Sequence, residues 1–511
     1  MSQESGANIP KTYDPASFER KWYAYWEEHK LFHDEADESR APYSVVIPPP
    51  NVTGQLHMGH ALDNTLQDIL VRYQRMRGKN VVWIPGCDHA GIATQAKVEE
   101  SLRAEGTNRF ELGREKFLER VWDWKQQYGD RIMYQLRMLG ASCDWDRERF
   151  TMDEGCSRAV REVFVSLYEQ GLIYQGTRIT NWCPHCTTAI SDIEVEHETE
   201  EGNLWHLRYQ IEGTDDYVEI ATTRPETMFG DTGVAVHPDD ERYKGLVGKT
   251  LILPVVERRI PLFADAYVDP AFGTGAVKVT PAHDPNDFEM AQRHHLPLKQ
   301  IISQEGTMVN VPPQFLGLTP AEARTRVLAA LESLELRRGE TDIEHAVGHC
   351  YKCGNVIEPM VKEQWFIKMQ PLTQPAIEAL EREEITFYPA AKRKELVAYL
   401  KQLKDWNISR QIPWGIPIPA FVNESDPRDW IFDIRTSEQK IVVNDTTYIR
   451  EEDTFDTWFS SGQWPYIVTD YLNGGELAKY FPTNLMETGM DIMRAWVARM
   501  IMLSLYRTGK L

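Results

Sequence analysis

Between a short apolar run, Tyr43 to Ile47, and a helical pattern that begins near Met58 lies the string Pro48-Pro49-Pro50-Asn51-Val52-Thr53-Gly54-Gln55-Leu56-His57-Met58-Gly59-His60. Three consecutive prolines cannot donate to a sheet ladder, so the strand must end there. Apolar Met58, Leu62, Leu66, Ile69 and Leu70 then recur at helical spacing up to Gly78, and Val81 to Ile84 is a second short apolar strand closed by Pro85-Gly86. Strand, crossover helix and strand predict a parallel unit, the building block of a doubly wound, Rossmann-like α/β nucleotide-binding sheet. Ligands of such sheets bind at the carboxyl ends of the strands, which is where this string lies. A helix N-terminus offers free N–H groups and a partial positive charge to phosphate. His57 and His60, three apart, share one face of the first turn. There they can donate hydrogen bonds to phosphate oxygens as charge moves. Gly59 between them lets a flat base approach the backbone. The bland alternative is a pair of solvent-facing histidines, and the strand and proline turn in front of them weigh against it.

The rest of the chain divides by texture. Tyr13 to Phe32 predicts an amphipathic docking helix carrying Phe18, Trp22, Tyr25 and Trp26. From about Cys183 to His345 the pattern changes to short strands broken by Gly and Pro, as in a separate mixed α/β domain inserted into the first. From Glu363 onward helices and buried strands alternate again. The expected organisation is a helical segment over 1–40, the first half of the nucleotide-binding domain over 41–182, the insertion over 183–353 and the second half over 354–511. No apolar run is long enough to span a membrane and no secretory pattern opens the sequence, so a cytoplasmic protein is the default expectation. With 56 basic and 77 acidic residues the formal charge is −21. That balance argues against a general nucleic-acid binder and confines any RNA contact to local basic patches.

Four of the seven cysteines form two Cys-x-x-Cys pairs, Cys183 with Cys186 and Cys350 with Cys353. Four soft thiolates suit a tetrahedral structural Zn²⁺. One ion taking both pairs would pin the chain entering and leaving the insertion. The alternatives are two separate sites completed by His185 and His349, or no metal. Within the insertion, Thr222-Thr223-Arg224-Pro225-Glu226-Thr227 and the segment from Gly273 to Asp287 begin as strands and end in proline-broken loops, a usual address of binding pockets. Their hydroxyls, Arg224, Lys278 and the aspartates could recognise a polar amino acid and an RNA 3′ end. A turn-rich structural role fits the same residues equally well.

Two strings resemble a known family. His57-Met58-Gly59-His60 is similar to the ATP-binding signature of the class I aminoacyl-tRNA synthetases. Gly86-Cys87-Asp88-His89-Ala90-Gly91-Ile92-Ala93-Thr94-Gln95 resembles the loop after the second strand in the valine-specific branch, from which the isoleucine and leucine branches differ at His89-Ala90-Gly91. The resemblance runs, with interruptions, along nearly the whole chain. It implies ATP with Mg²⁺ at His57, Gly59 and His60, the two histidines being catalytic. Asp88 would take the substrate ammonium group, beside Pro49 and Asn51. Trp458, Ile492 and Trp496 would enclose a small branched side chain, although residue chemistry alone makes the two tryptophans core residues. The insertion resembles the editing domain of the valine, isoleucine and leucine branches, with Arg224, Thr227, Lys278, Thr280, Asp284 and Asp287 as the editing residues. The implied activity is ATP-dependent ligation of valine to its tRNA through valyl-adenylate, with hydrolysis of mischarged threonyl-tRNA, by a monomer. An isoleucine-specific ligase and an editing-only deacylase are the alternatives. One departure stands out: no Lys-Met-Ser-Lys-Ser string occurs and the chain stops at Leu511. The nucleotide fold is therefore expected to lack its last strand, and the anticodon-binding region with it.

Overall fold

The computed structural model describes residues 11–435 and 438–511, so the first ten residues of the helical segment expected over 1–40 lie outside the described residues. The chain forms two compact units. One comprises Met1–Leu172, Lys368–Asp405 and Pro413–Leu511, and the other Ile173–Ile367 and Trp406–Ile412. The second unit thus interrupts the first along the chain. Among the described residues no helix is long and apolar enough to cross a membrane.

In the first unit, β1 (Pro42–Val46) lies parallel to β2 (Asn80–Ile84), in register from Pro42 opposite Asn80 to Val46 opposite Ile84, with α1 (Met58–Met76) as the crossover. A further parallel position is taken by Leu485 opposite Val45, fastened by Asn484 N–H to Ser44 O at 3.0 Å. Val45, Ile47, Val81 and Trp83 are fully buried against Ile132 and Leu136 of α2 (Arg114–Leu139). α1 departs from its apolar pattern. Asn64, Gln67 and Val71 face inward, whereas Met58, Leu62, Leu66 and Ile69 are exposed. Specific hydrogen bonds draw the polar face in: Trp83 Nε1 donates to Gln67 Oε1 at 3.0 Å, and Ser142 N–H to Asp68 at 2.9 Å. The first helix is likewise rotated from expectation. It spans Glu19–Glu28 and buries Tyr23, whose hydroxyl donates to Ala141 O at 2.6 Å, while Phe18, Trp22 and Tyr25 stay exposed.

Past Glu363 the unit also holds a four-stranded antiparallel sheet built from Ala420–Asn423, Asp426–Phe432, Lys440–Val443 and Thr446–Arg450. Its last hairpin turns through Asn444 and Asp445, both at positive φ, the conformation a two-residue hairpin with right-handed strand twist requires.

In the second unit, β3 (Ile173–Cys183) and β8 (Glu358–Ile367) run antiparallel from Ile173 opposite Ile367 to Trp182 opposite Glu358. This ladder extends beyond the cysteines, which is why the unit is wider than 183–353. A long ribbon follows, β4 (Val195–Ile211) against β7 (Arg337–Cys350), and β4 enters a seven-stranded mixed sheet. That sheet includes β5 (Gly233–Val236) and β6 (Ala276–Val279), and it leads into α3 (Pro285–His294). Leu207, Tyr209, Ile220, Val234 and Leu262 form its core.

Candidate active sites

In the first unit the carboxyl ends of β1 and β2 open on a cavity of about 550 Å³, within the range of small-molecule sites. Pro49, Asn51, His57, Gly59, His60, Asp88, Trp458, Ile492 and Trp496 all line it, so every residue expected for ATP and amino-acid binding converges on one space. The histidines cap α1. Gly59 N–H donates to His57 Nδ1 at 3.1 Å, and His57 N–H to His60 Nδ1 at 3.3 Å. Both Nδ1 atoms are acceptors, so in the neutral rings the proton sits on Nε2 of each. Gly59 is needed here, because a Cβ would come within 2.9 Å of the His57 ring. Burial and the neighbouring His57 push His60 below the ordinary imidazole pKa, which keeps it a neutral donor near neutral pH.

Asp88 is 4% exposed. Its backbone is tied to the proline turn, Asp88 N–H to Pro50 O at 2.9 Å and Val52 N–H to Asp88 O at 3.1 Å. The apolar wall comes from two short helical segments. Asp456 caps Thr457–Ser461, and Trp496 lies in a π-helical turn, Met493–Val497, with its Nε1 donating to Ser461 O at 3.0 Å. A π-turn shifts side chains off the α-helical ladder and is frequent at functional sites. Trp496 is thus both a core tryptophan and a cavity wall. Sequence reasoning missed Asp63, Glu487, Thr488 and Gly489, which also line the cavity. Asp63 lies one α-helical turn after His60 and was readable from the 3.6-residue period.

Gly86 lies two residues before Asp88. A Cβ there would fall 2.6 Å from Trp464 and 2.7 Å from Arg149 O. Gly86→Ala is expected to destabilise the first unit by about 1–3 kcal/mol through overpacking, measurable by denaturant unfolding; an unchanged midpoint would show that the loop accommodates the methyl group.

In the second unit the expected editing residues are also contiguous. Lys278 on β6 donates to Thr227 Oγ1 at 2.7 Å, to Thr280 Oγ1 at 2.5 Å and to Asp231 Oδ1 at 3.0 Å. An ammonium has three protons, and all three are engaged. Lys278 is therefore the hub that sets two hydroxyls. Thr280 Oγ1 donates to Asp231 Oδ1 at 2.6 Å and Thr227 Oγ1 to Arg224 O at 2.9 Å. Asp231, fully buried and also accepting from Tyr209 at 2.7 Å, was missed. Arg224 is steered by Glu358 at 2.6 Å and Glu226 at 3.3 Å. Asp284 caps α3, and Asp287 in its first turn accepts from Thr280 N–H at 2.7 Å. Burial, with nearby Asp284, pushes the Asp287 carboxyl up to about 8.

Elsewhere in this unit Cys183, Cys186, Cys350 and Cys353 bring their sulfurs within 4.8 Å of one another. The two pairs meet as one cluster, and His185 and His349 are not part of it. Four thiols at that spacing fit tetrahedral Zn²⁺.

A family model described as tRNA synthetases class I (I, L, M and V) matches residues 21–511. A valine–tRNA ligase of Carboxydothermus hydrogenoformans is 54% identical over 499 residues, covering 97% of this chain and 56% of that protein. Valine–tRNA ligases of Geobacter sulfurreducens and Thermotoga maritima are 52% and 50% identical, over 98% and 97% of this chain and 56% and 57% of their own lengths. A solved LeuRS–tRNA–LeuAMS ternary complex of Agrobacterium radiobacter K84 matches at 19% identity and a TM-score of 0.48, covering 96% of this chain and 64% of that one. The chain spans a little over half the length of the curated relatives it matches, and it belongs to the class I tRNA synthetases of the I, L, M and V group.

Proposed function

We propose that this chain carries the amino-acid activation site and the editing site of a valine–tRNA ligase. The observation that supports this reading most is the convergence of His57, His60, Asp88, Trp458, Ile492 and Trp496 on one cavity, in a chain about half identical to valine–tRNA ligases. In this reading the valine carboxylate attacks the α-phosphorus of ATP to give valyl-adenylate and pyrophosphate. The Nε2 protons of His57 and His60 stabilise the phosphate oxygens as charge develops, Mg²⁺ accompanies the ATP, and the valyl group passes to the terminal ribose of its tRNA. The relatives favour valine over the isoleucine alternative.

A hydrophobic pocket rejects an isostere that adds a hydroxyl only weakly; valine against threonine is that rule's own standard example, not a result for this chain. The second unit answers this need in the proposal. Thr227 and Thr280, held by Lys278, meet the hydroxyl of a threonyl ester, Arg224 meets the RNA 3′ end, and Asp287 takes the amino group or orients the attacking water. The four cysteines hold one structural Zn²⁺.

The test is hydrolysis of threonyl-tRNA for valine by this chain. The parent is expected to deacylate it, and Asp287→Ala to lose about a hundredfold or more. The active form of Asp287 is the carboxylate, so the rate should rise with pH through about 8. A rate indistinguishable from the Asp287→Ala variant, or one that falls over this interval, would sink the editing assignment. Valine-dependent ATP–pyrophosphate exchange tests the first unit, and isoleucine dependence would reverse the substrate assignment.

A further inference from the structure

An ammonium-binding carboxylate must be charged and aimed, and for Asp88 the groups that accomplish this lie behind the cavity wall. Asp88 Oδ1 accepts from Ala90 N–H at 2.7 Å and stands 3.4 Å from Thr151 Oγ1. That hydroxyl oxygen is in turn 2.9 Å from the His89 backbone N–H and 2.7 Å from His89 Nδ1. Thr151 is fixed in place by its own N–H to Cys87 O at 3.1 Å, next to the parallel pairing of Arg149–Phe150 with Gly86–Cys87. Trp414 Nε1 donates to His89 O at 2.8 Å and holds the loop from the other side.

A hydroxyl has one proton and two lone pairs. The His89 backbone N–H takes one lone pair. Were His89 Nδ1 unprotonated, it would claim the only hydroxyl proton, leaving Asp88 to face an oxygen lone pair in a buried site. With the proton on Nδ1, the ring takes the second lone pair and the hydroxyl proton is free for Asp88. Only that arrangement satisfies all three groups. It leaves His89 Nε2, buried and without a partner, as a bare acceptor; stranding an N–H donor there is the rarer outcome in buried sites.

We propose that Thr151 and His89 are positioning residues of the amino-acid site: a neutral His89 with its proton on Nδ1 directs the Thr151 hydroxyl onto Asp88 and so aims and charges the carboxylate that takes the substrate ammonium group. This rests on the reading of Asp88 as the ammonium partner. The electrostatics agree. Burial pushes the Asp88 carboxyl up to about 7 and Asp456 adds to the rise, while Ala90 N–H and the Thr151 hydroxyl pull it back. His89, whose Nδ1 is 3.4 Å from the same oxygen, is held neutral by burial, its pKa down at about 3.

The experiment titrates this chain with L-valine and with 3-methylbutanoate, the same acid without the amine, following tryptophan fluorescence from Trp458 and Trp496 across neutral pH. Thr151→Val is expected to weaken valine binding about five- to tenfold at neutral pH. It should move the pH midpoint of valine binding upward and leave 3-methylbutanoate untouched. Thr151→Ser should restore valine binding, and His89→Phe should give a smaller loss of the same selectivity. Equal loss of both ligands, or no loss of either, overturns the proposal. Asp88→Asn separates the two levels: if it does not remove the preference for valine over 3-methylbutanoate, the ammonium reading itself fails. A ligand-free measurement completes the test. The ¹³C titration of the Asp88 carboxyl should shift upward in Thr151→Val, and an unmoved titration refutes the relay.

Discussion

Lys278→Met is expected to destabilise the second unit by about 3–5 kcal/mol, because it strands a buried carboxylate. Asp231 is fully buried, and the Lys278 ammonium pairs with its carboxylate at 3.0 Å. The other donors to that carboxylate are hydroxyls, from Thr280 and Tyr209. Burial already pushes the Asp231 carboxyl above its ordinary pKa even with the lysine present, so removing the lysine leaves the Thr280 and Tyr209 hydroxyls as the opposition to desolvation. Hydrogen exchange should report the loss on β5 and β6, which pair from Ala276 opposite Val236 to Val279 opposite Gly233. The double variant Lys278→Met, Asp231→Asn should recover most of the stability, since replacing both members of a buried pair by neutral groups is often nearly neutral. Deacylation should not recover with it, because the hydroxyls of Thr227 and Thr280 lose the ammonium that orients them. If the single and double variants are equally unstable, the pair is not coupled and Lys278 acts through packing alone.

That network also marks where the sequence stops being informative. Both segments that carry it were legible as short strands ending in proline-broken loops, a usual address of pockets. The choice of Arg224, Thr227, Lys278, Thr280, Asp284 and Asp287 came from the resemblance, and the helix that starts after Asp284 was not read. Asp231 was not, because it follows a 3₁₀ turn, Pro225–Gly230, and no local pattern says that its side chain folds back beneath β6. The parallel unit β1–α1–β2 was legible for a similar local reason, since proline, glycine and period fix its ends. The orientation of α1 was not. Its apolar residues predicted an inward stripe, but Trp83 Nε1 and the Ser142 N–H require acceptors, and Gln67 and Asp68 supply them. Long-range hydrogen bonds outweighed the hydrophobic pattern at that helix. The hairpin at Asn444-Asp445 carried a recognisable turn signal, but the short strands beside it alternate too weakly to be separated from helix.

Removal of zinc is the other change expected to have a large effect. Cys183 ends β3 and Cys350 ends β7, so the cluster joins the last residue of one ladder to the last residue of another. Cys183 and Cys353 sulfurs stand 3.5 Å apart. Bringing four thiolates to such distances is favourable only around a cation, and binding free energy of that kind is folding free energy. The parent chain should therefore contain one Zn²⁺, and a strong chelator should lower the unfolding midpoint of the second unit and destabilise it by several kcal/mol, a part of the roughly 10–16 kcal/mol with which structural sites bind the ion. Protection should be lost first where Cys350 faces Val195 at the base of the β4–β7 ribbon. Cys350→Ser should reproduce the chelated state without added chelator. His349→Ala should not, because its ring is engaged by Gly354 O and Glu200 and lies outside the sulfur cluster. A chain purified metal-free with an unchanged midpoint would mean that the four thiols are held together by the ladders alone, and one losing metal on His349→Ala would return the ligand set to the mixed cysteine–histidine alternative.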